Sequence, residues 1–166
     1  MPNTNNNTSY DVDGYDVITT ALVALVNSYP ALESGDKIEF GTLDADYGKA
    51  LFATGGAIIE RSVKDILGHT SQICLYPFTV VYRCGGLRES QKVRVKEWLD
   101  NLGRWLELQT VTINGNSYTL SGYPALTGTR KIIEIKRQTP AYLYSLNENN
   151  TEDWAVSVQT RYRNEF

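Results

Sequence analysis

Chemistry-bearing side chains are scarce in this chain. Its 166 residues include one histidine, two cysteines and one methionine. A structural zinc site needs several Cys or His ligands in paired spacing, which these residues do not supply. Two cysteines are too few for a disulfide scaffold. Cys74 and Cys84 also fall in what reads as one strand. Ten residues of strand span roughly 33 Å, while a bridge needs Cα atoms within about 7 Å. Both cysteines therefore read as small buried apolar residues, and a reducing, cytoplasmic compartment fits them. Long apolar runs are missing too, since no stretch reaches the roughly 18 residues of a membrane span. Met1 to Ser9 is rich in Asn and Thr and lacks the basic start and apolar stretch of a secretory signal. There is no basic surplus either. The net charge is -3, whereas a dedicated nucleic-acid binder usually carries an excess of Lys and Arg.

Catalytic arrangements are equally sparse. His69 sits in Gly68-His69-Thr70-Ser71, which reads as a surface turn. Neither cysteine has the helix N-terminus or motif that would activate it as a nucleophile. Asp44-Ala45-Asp46 lacks the glycine and terminal glutamate of a calcium loop and reads as a solvated acidic loop. Gly48-Lys49-Ala50 has the wrong spacing for a phosphate loop and places alanine where the magnesium-binding hydroxyl belongs. Gly55-Gly56 opens no helix, so there is no dinucleotide fingerprint. Arg88, Lys92, Arg94 and Lys96 gather near a helix start, but Glu89 and Glu97 interleave as on a solvated face. The expectation is a protein that is not an enzyme and holds no cofactor and no metal.

What is present is enough apolar residue for one core: 42% hydrophobic against 21% charged, an ordinary globular balance at this length. Residues 1–9 read as a flexible polar arm and 10–166 as one domain. A helix is expected from Asp16 to Asn27, because Ile18, Ala21, Leu22, Leu25 and Tyr29 share one helical face. Asp13 or Asp16 can cap it, and Pro30 ends it. Lys37–Phe40 alternates as a short strand. Gly41–Gly56, punctuated by four glycines, reads as a long loop or mobile hairpin arm, with Lys49–Ala53 as its strand.

Ala57–Val63 and Ile73–Cys84 read as strands joined by a turn at Gly68–Ser71. Pro77 implies an edge or bulge in the second. The strongest helix signal follows from Ser90 to Leu108, with Val95, Trp98, Leu99, Leu102, Trp105 and Leu106 on one stripe. Asp100 and Arg104 are spaced to pair across one turn. Asn114-Gly115 marks a hairpin within Thr110–Leu120. Arg130–Gln138, Ala141–Tyr144 and Trp154–Tyr162 read as further strands. This order predicts an α+β fold: a mostly antiparallel mixed sheet with two helices packed on one face, a long Gly-rich loop or hairpin arm, and a second sheet face partly exposed or covered by a neighbour. Expected core anchors are Ile18, Leu22, Leu25, Tyr82, Trp98, Leu102 and Trp105.

Charge is unevenly distributed. Residues 1–50 carry eight acids against two bases, and residues 83–137 carry ten bases against five acids. Unlike patches suit head-to-tail self-association, which closes as a ring or runs on as a filament. They also suit neutralisation within one fold. Eleven tyrosines, the Gly-rich segment and the strand edges are materials of protein–protein contact. Candidate interface residues are Asp44, Asp46, Tyr47 and Lys49 on the arm, Asn114 and Asn116 at the hairpin, and Trp154, Gln159 and Arg161 on the last strand.

Several stretches carry a resemblance. Tyr15-Asp16-Val17-Ile18 leads through the first helix to Tyr29-Pro30. Tyr76-Pro77-Phe78-Thr79-Val80-Val81-Tyr82-Arg83 runs into Gly85-Gly86 and the Trp98/Trp105 helix. Arg137-Gln138-Thr139-Pro140-Ala141-Tyr142-Leu143 precedes Asn149-Asn150-Thr151-Glu152-Asp153-Trp154-Ala155-Val156. Over residues 10–166 this layout resembles the tail terminator, or tail completion, proteins of the head–tail joint of tailed bacteriophages. The resemblance implies a virion protein assembled in the host cytoplasm. It implies a homo-oligomeric ring, commonly hexameric, that ends the tail tube and meets the head connector or stopper protein. DNA would pass through its lumen without specific binding. The family supplies no catalytic signature and no residue-exact site.

Overall fold

The computed structural model describes residues 15–86 and 88–166. The polar arm at 1–9 and a cap by Asp13 or Asp16 lie outside the described residues and side chains. Among the described residues two helices and nine strands occur in the order α1 (Tyr15–Asn27), β1 (Ile38–Phe40), β2 (Gly48–Ala53), β3 (Ile58–Lys64), β4 (Thr70–Gly85), α2 (Glu89–Leu106), β5 (Val111–Ile113), β6 (Asn116–Tyr118), β7 (Lys131–Arg137), β8 (Tyr142–Leu146) and β9 (Thr151–Glu165). The α+β expectation holds: the sheet is mixed and mostly antiparallel, with one parallel pair, β1 and β2.

Two long strands organise the main sheet. β4 and β9 pair antiparallel along their whole lengths, from Ser71 opposite Glu165 to Gly85 opposite Thr151. At roughly 3.3 Å per residue this ribbon is about 50 Å long. Shorter strands flank it: β3 and β7 beside one half, β2 and β8 beside the other. Pro77 falls where the neighbour of β4 changes from β2 to β3. The Thr54 N–H donates to the Pro77 carbonyl at 3.2 Å, and the donor that proline lacks faces this gap in the ladder. The edge expected from Pro77 is therefore real and local.

Alternation along the ribbon sorts its side chains into two faces. Cys74, Tyr76, Phe78 and Val80 of β4 face the helices and are fully buried, as are Val156 and Tyr162 of β9. Ile18, Leu22 and Leu25 of α1 and Leu99, Leu102 and Trp105 of α2 complete this core, with Tyr82 and Trp98 half-buried against it. Trp98 is held by polarity as well as packing. Its Nε1–H donates to the Ala31 carbonyl at 3.1 Å, and its ring meets Tyr29 and Tyr82 edge-on at 5.2 and 5.3 Å.

The expected Asp100–Arg104 pair does not form. Lys96, on the other side in the same helix, takes Asp100 at 2.7 Å, and the Ala141 N–H donates to the second carboxylate oxygen at 2.7 Å. Gly103 lets β7 approach α2: a Cβ there would lie 2.2 Å from the Arg137 side chain, which reaches across to Glu107. The Asn114-Gly115 hairpin forms as a separate two-stranded sheet of β5 and β6, with both turn residues at positive φ, 51° and 80°.

Candidate interaction surface

Among the described residues no helix covers the other face of the main sheet. Its two ends differ in charge and shape, and they are built from different parts of the chain.

The first end is where β4 finishes and β9 begins. Here the 41–56 segment departs from a mobile arm. Residues 41–47 and 54–56 are loop, and between them β2 is an interior strand flanked by β1 and β4. Arg83 pins the loop. Its guanidinium holds the Asp153 carboxylate bidentately at 2.7 and 2.8 Å and donates a third bond to the Asp44 carbonyl at 3.1 Å. That pair raises the Arg83 pKa further, its hydrogen bond to Asp153 outweighing the cost of burial. The Asn149 amide, from the β8–β9 turn, donates to the Ala45 carbonyl at 3.0 Å. Asp44, Asp46 and Glu148 remain exposed. Beside them a groove of about 450 Å³ opens on the uncovered face, lined by Phe52, Thr79, Val81, Tyr142, Tyr144 and Ser157 among others.

Lys49 is not an interface residue, because it is buried on the helix-facing side of β2. Its register partner Tyr82 alternates with buried residues of β4. The ammonium is paired with Asp36 and donates to the Tyr47 hydroxyl at 2.6 Å. It sits 4.2, 4.8 and 5.4 Å from the ring centres of Tyr82, Tyr47 and Trp98. A carboxylate and three π faces together replace the water that a buried ammonium loses. Tyr47 is half-exposed above it.

The second end is the β3–β4 hairpin. All seven residues of β3 are exposed. Ile66 and Leu67 at the turn are 102% and 78% exposed. The turn itself is well formed: Asp65 accepts from the Leu67 and His69 N–H groups at 2.8 and 2.9 Å and pairs with the His69 ring at 3.1 Å. Across the uncovered face, Arg61, Ile73, Arg163 and Lys131 stand side by side on β3, β4, β9 and β7. Cross-strand neighbours of like charge repel, and here Arg163 and Lys131 are direct partners. Arg163 has Glu165 at 3.8 Å along its own strand.

The remaining predicted interface residues scatter. Asn114 and Asn116 are exposed at the small hairpin. Trp154–Tyr162 is not a free edge, since β9 is paired on both sides, by β4 and by β7 and β8. Trp154 packs half-buried on the helix-facing side and donates its Nε1–H to Glu152 at 3.1 Å. Gln159 and Arg161 lie on the uncovered face, Arg161 bridging Glu60 at 2.8 Å and Glu134 at 3.8 Å. The cationic start of α2 is partly consumed internally, with Lys92 on Glu152 at 2.6 Å.

The hairpin's apolar surface was missed in the sequence. Its signal was Ile66-Leu67 inside a turn, where polar residues are the rule.

Cys74 and Cys84 are both buried. Burial, with Glu152 and Asp153 nearby, pushes the Cys84 thiol up to about 11, so it stays protonated and unreactive at neutral pH. Among the described residues no group of three or more His, Cys, Asp or Glu is placed to hold a metal ion, and no helix is long and apolar enough to cross a membrane. No protein-family profile matches the chain, and no curated protein matches it.

Proposed function

We propose that this chain is a virion structural protein, a tail terminator. Copies form a ring at the head-proximal end of a phage tail tube, stop its polymerisation and join it to the head connector. The ring is hexameric in the family the sequence resembles. DNA crosses the lumen without specific binding, and no catalytic step is part of the role.

The observation that carries this reading is the sheet face left without helices, with an acidic, grooved end and a basic, apolar-tipped end. At the hairpin tip Ile66 and Leu67 are 102% and 78% exposed, and exposed apolar surface of this kind supports a site of association. Unlike ends on one molecule suit heterologous, head-to-tail contact between copies.

The test is tube length. Polymerising tail-tube protein is imaged by electron microscopy with and without this chain. The reading predicts short tubes carrying a ring of the chain at one end. Unlimited filaments of the chain alone would make it a tube subunit instead, and tubes unaffected by it would contradict the reading.

A further inference from the structure

The ring reading leaves open which surfaces of neighbouring copies meet. We infer that the β3–β4 hairpin of one copy docks on the loop end of the next, so that the chain is its own partner. Ile66 and Leu67 enter the groove floored by Thr79, Val81 and Ser157, and Arg61 and Lys64 face Asp44, Asp46 and Glu148. This rests on the assembly reading above and specifies its contact.

Charge complementarity chooses the occupant. The loop end presents Asp44, Asp46 and Glu148, all exposed, while its nearest cations are engaged: Arg83 on Asp153 and Lys49 on Asp36. The hairpin end presents Arg61, Lys64 and Lys131, all exposed, with Arg163 between them in the sheet. Its acids are mostly engaged within the same end, Glu60 and Glu134 on Arg161 and Asp65 on His69.

Apolar shape agrees with charge. The hairpin is convex, and its tip carries two uncovered aliphatic side chains. The groove is concave and framed by Phe52, Tyr142 and Tyr144, aromatic walls that suit aliphatic inserts. The hairpin tip lies beyond one end of the β4–β9 ribbon, while Thr79, Val81 and Ser157 lie in its other half, so one copy can engage two neighbours at once. The larger groove of about 720 Å³ between α1 and residues 122–127 has an apolar lining but no charge pattern matching the hairpin.

Charge reversal separates the alternatives. Asp44→Lys with Asp46→Lys reverses the loop end, and Arg61→Glu with Lys64→Glu reverses the hairpin. All four side chains are exposed, and circular dichroism melts confirm that each variant is folded. Sedimentation velocity over a concentration series at low salt reads self-association. The inference expects the wild type to associate and each variant to associate about tenfold more weakly or worse. It expects an equimolar mixture of the two variants to recover assembly, because every contact in an alternating head-to-tail array is then complementary.

A wild type that associates while neither reversal weakens it overturns the docking inference and leaves the ring reading standing. Variants that both weaken but do not rescue each other also overturn it. A wild type monomeric at every concentration overturns this contact, and the tube-length experiment then decides the ring reading separately.

Discussion

Two segments of the chain compete for the role of a projecting arm, and they differ in what ties them down. Residues 41–56 have the glycines, yet Arg83 and Asn149 hold the 41–47 loop by its carbonyls, and β2 is sealed between β1 and β4. Residues 58–69 contain a single glycine, Gly68, and read as ordinary strand and turn, yet they project with every β3 residue exposed. Glycine reports which backbone angles are accessible. Whether a segment is anchored depends on whether its polar groups and apolar side chains find partners, and that is decided by residues far away in sequence.

The most direct way to break the contrast is Arg83→Ala. It leaves Asp153, whose side chain is 6% exposed, as a buried carboxylate without its main partner. Removing one member of a buried pair typically costs about 3–5 kcal/mol. Arg83 is 21% exposed, so a loss near the low end, about 3 kcal/mol, is expected in chemical denaturation. Hydrogen exchange should quicken at 41–47 and stay unchanged at 58–69. Equal quickening in both segments would erase the distinction drawn between them.

Lys49→Met tests the second anchor. The apolar stem is kept, while Asp36, 18% exposed, loses its cation and the rings lose theirs. A loss of about 2 kcal/mol is expected. No loss would mean that the ammonium is only tolerated there.

Acid should act on two carboxylates paired beside the sheet, Glu152 and Asp100. The Lys92 hydrogen bond, aided by Trp154, holds the Glu152 carboxyl below its usual value. At Asp100 burial opposes ionisation, but the Ala141 N–H and Lys96 together outweigh it and lower its pKa also. For both groups the folded value lies below the unfolded one. Their contribution is fully present above the ordinary carboxylate range and is lost as pH falls through it and below. The melting temperature should therefore fall on acidification below about pH 4, and less steeply in Asp100→Asn. An identical slope in that variant would contradict the assignment.

The smallest expected effect belongs to the hairpin tip. Ile66→Ser with Leu67→Ser should change monomer stability by less than about 0.5 kcal/mol, as exposed substitutions usually do, while weakening self-association. A clear drop in monomer melting temperature would place these side chains in a core rather than at a contact.

Much of the fold could be read from the sequence for physical reasons. The α2 stripe, the Asn114-Gly115 turn and the β4 alternation are local patterns with one structural solution each. The interaction surface was less legible because it depends on pairing order. Trp154–Tyr162 has the alternation of a strand with one face buried, and nothing local says whether its edges are paired. Lys49 stands in a Gly-rich, acidic segment that reads as solvent-facing, and the rings of Tyr82 and Trp98 that bury it come from elements 33 and 49 residues later. The Asp100 partner was ambiguous between two cations one turn away on either side, and the Ala141 contact favours the geometry in which Lys96 reaches it.

The central claim is that the two unlike ends of the sheet meet in the assembled protein. Hydrogen exchange measured across a protein concentration series tests it most directly. The account predicts that amides of 58–69 and of 41–47 gain protection together as concentration rises, while those of α2 do not change. Protection that rises in only one of the two segments, or in neither while the protein associates, would contradict it.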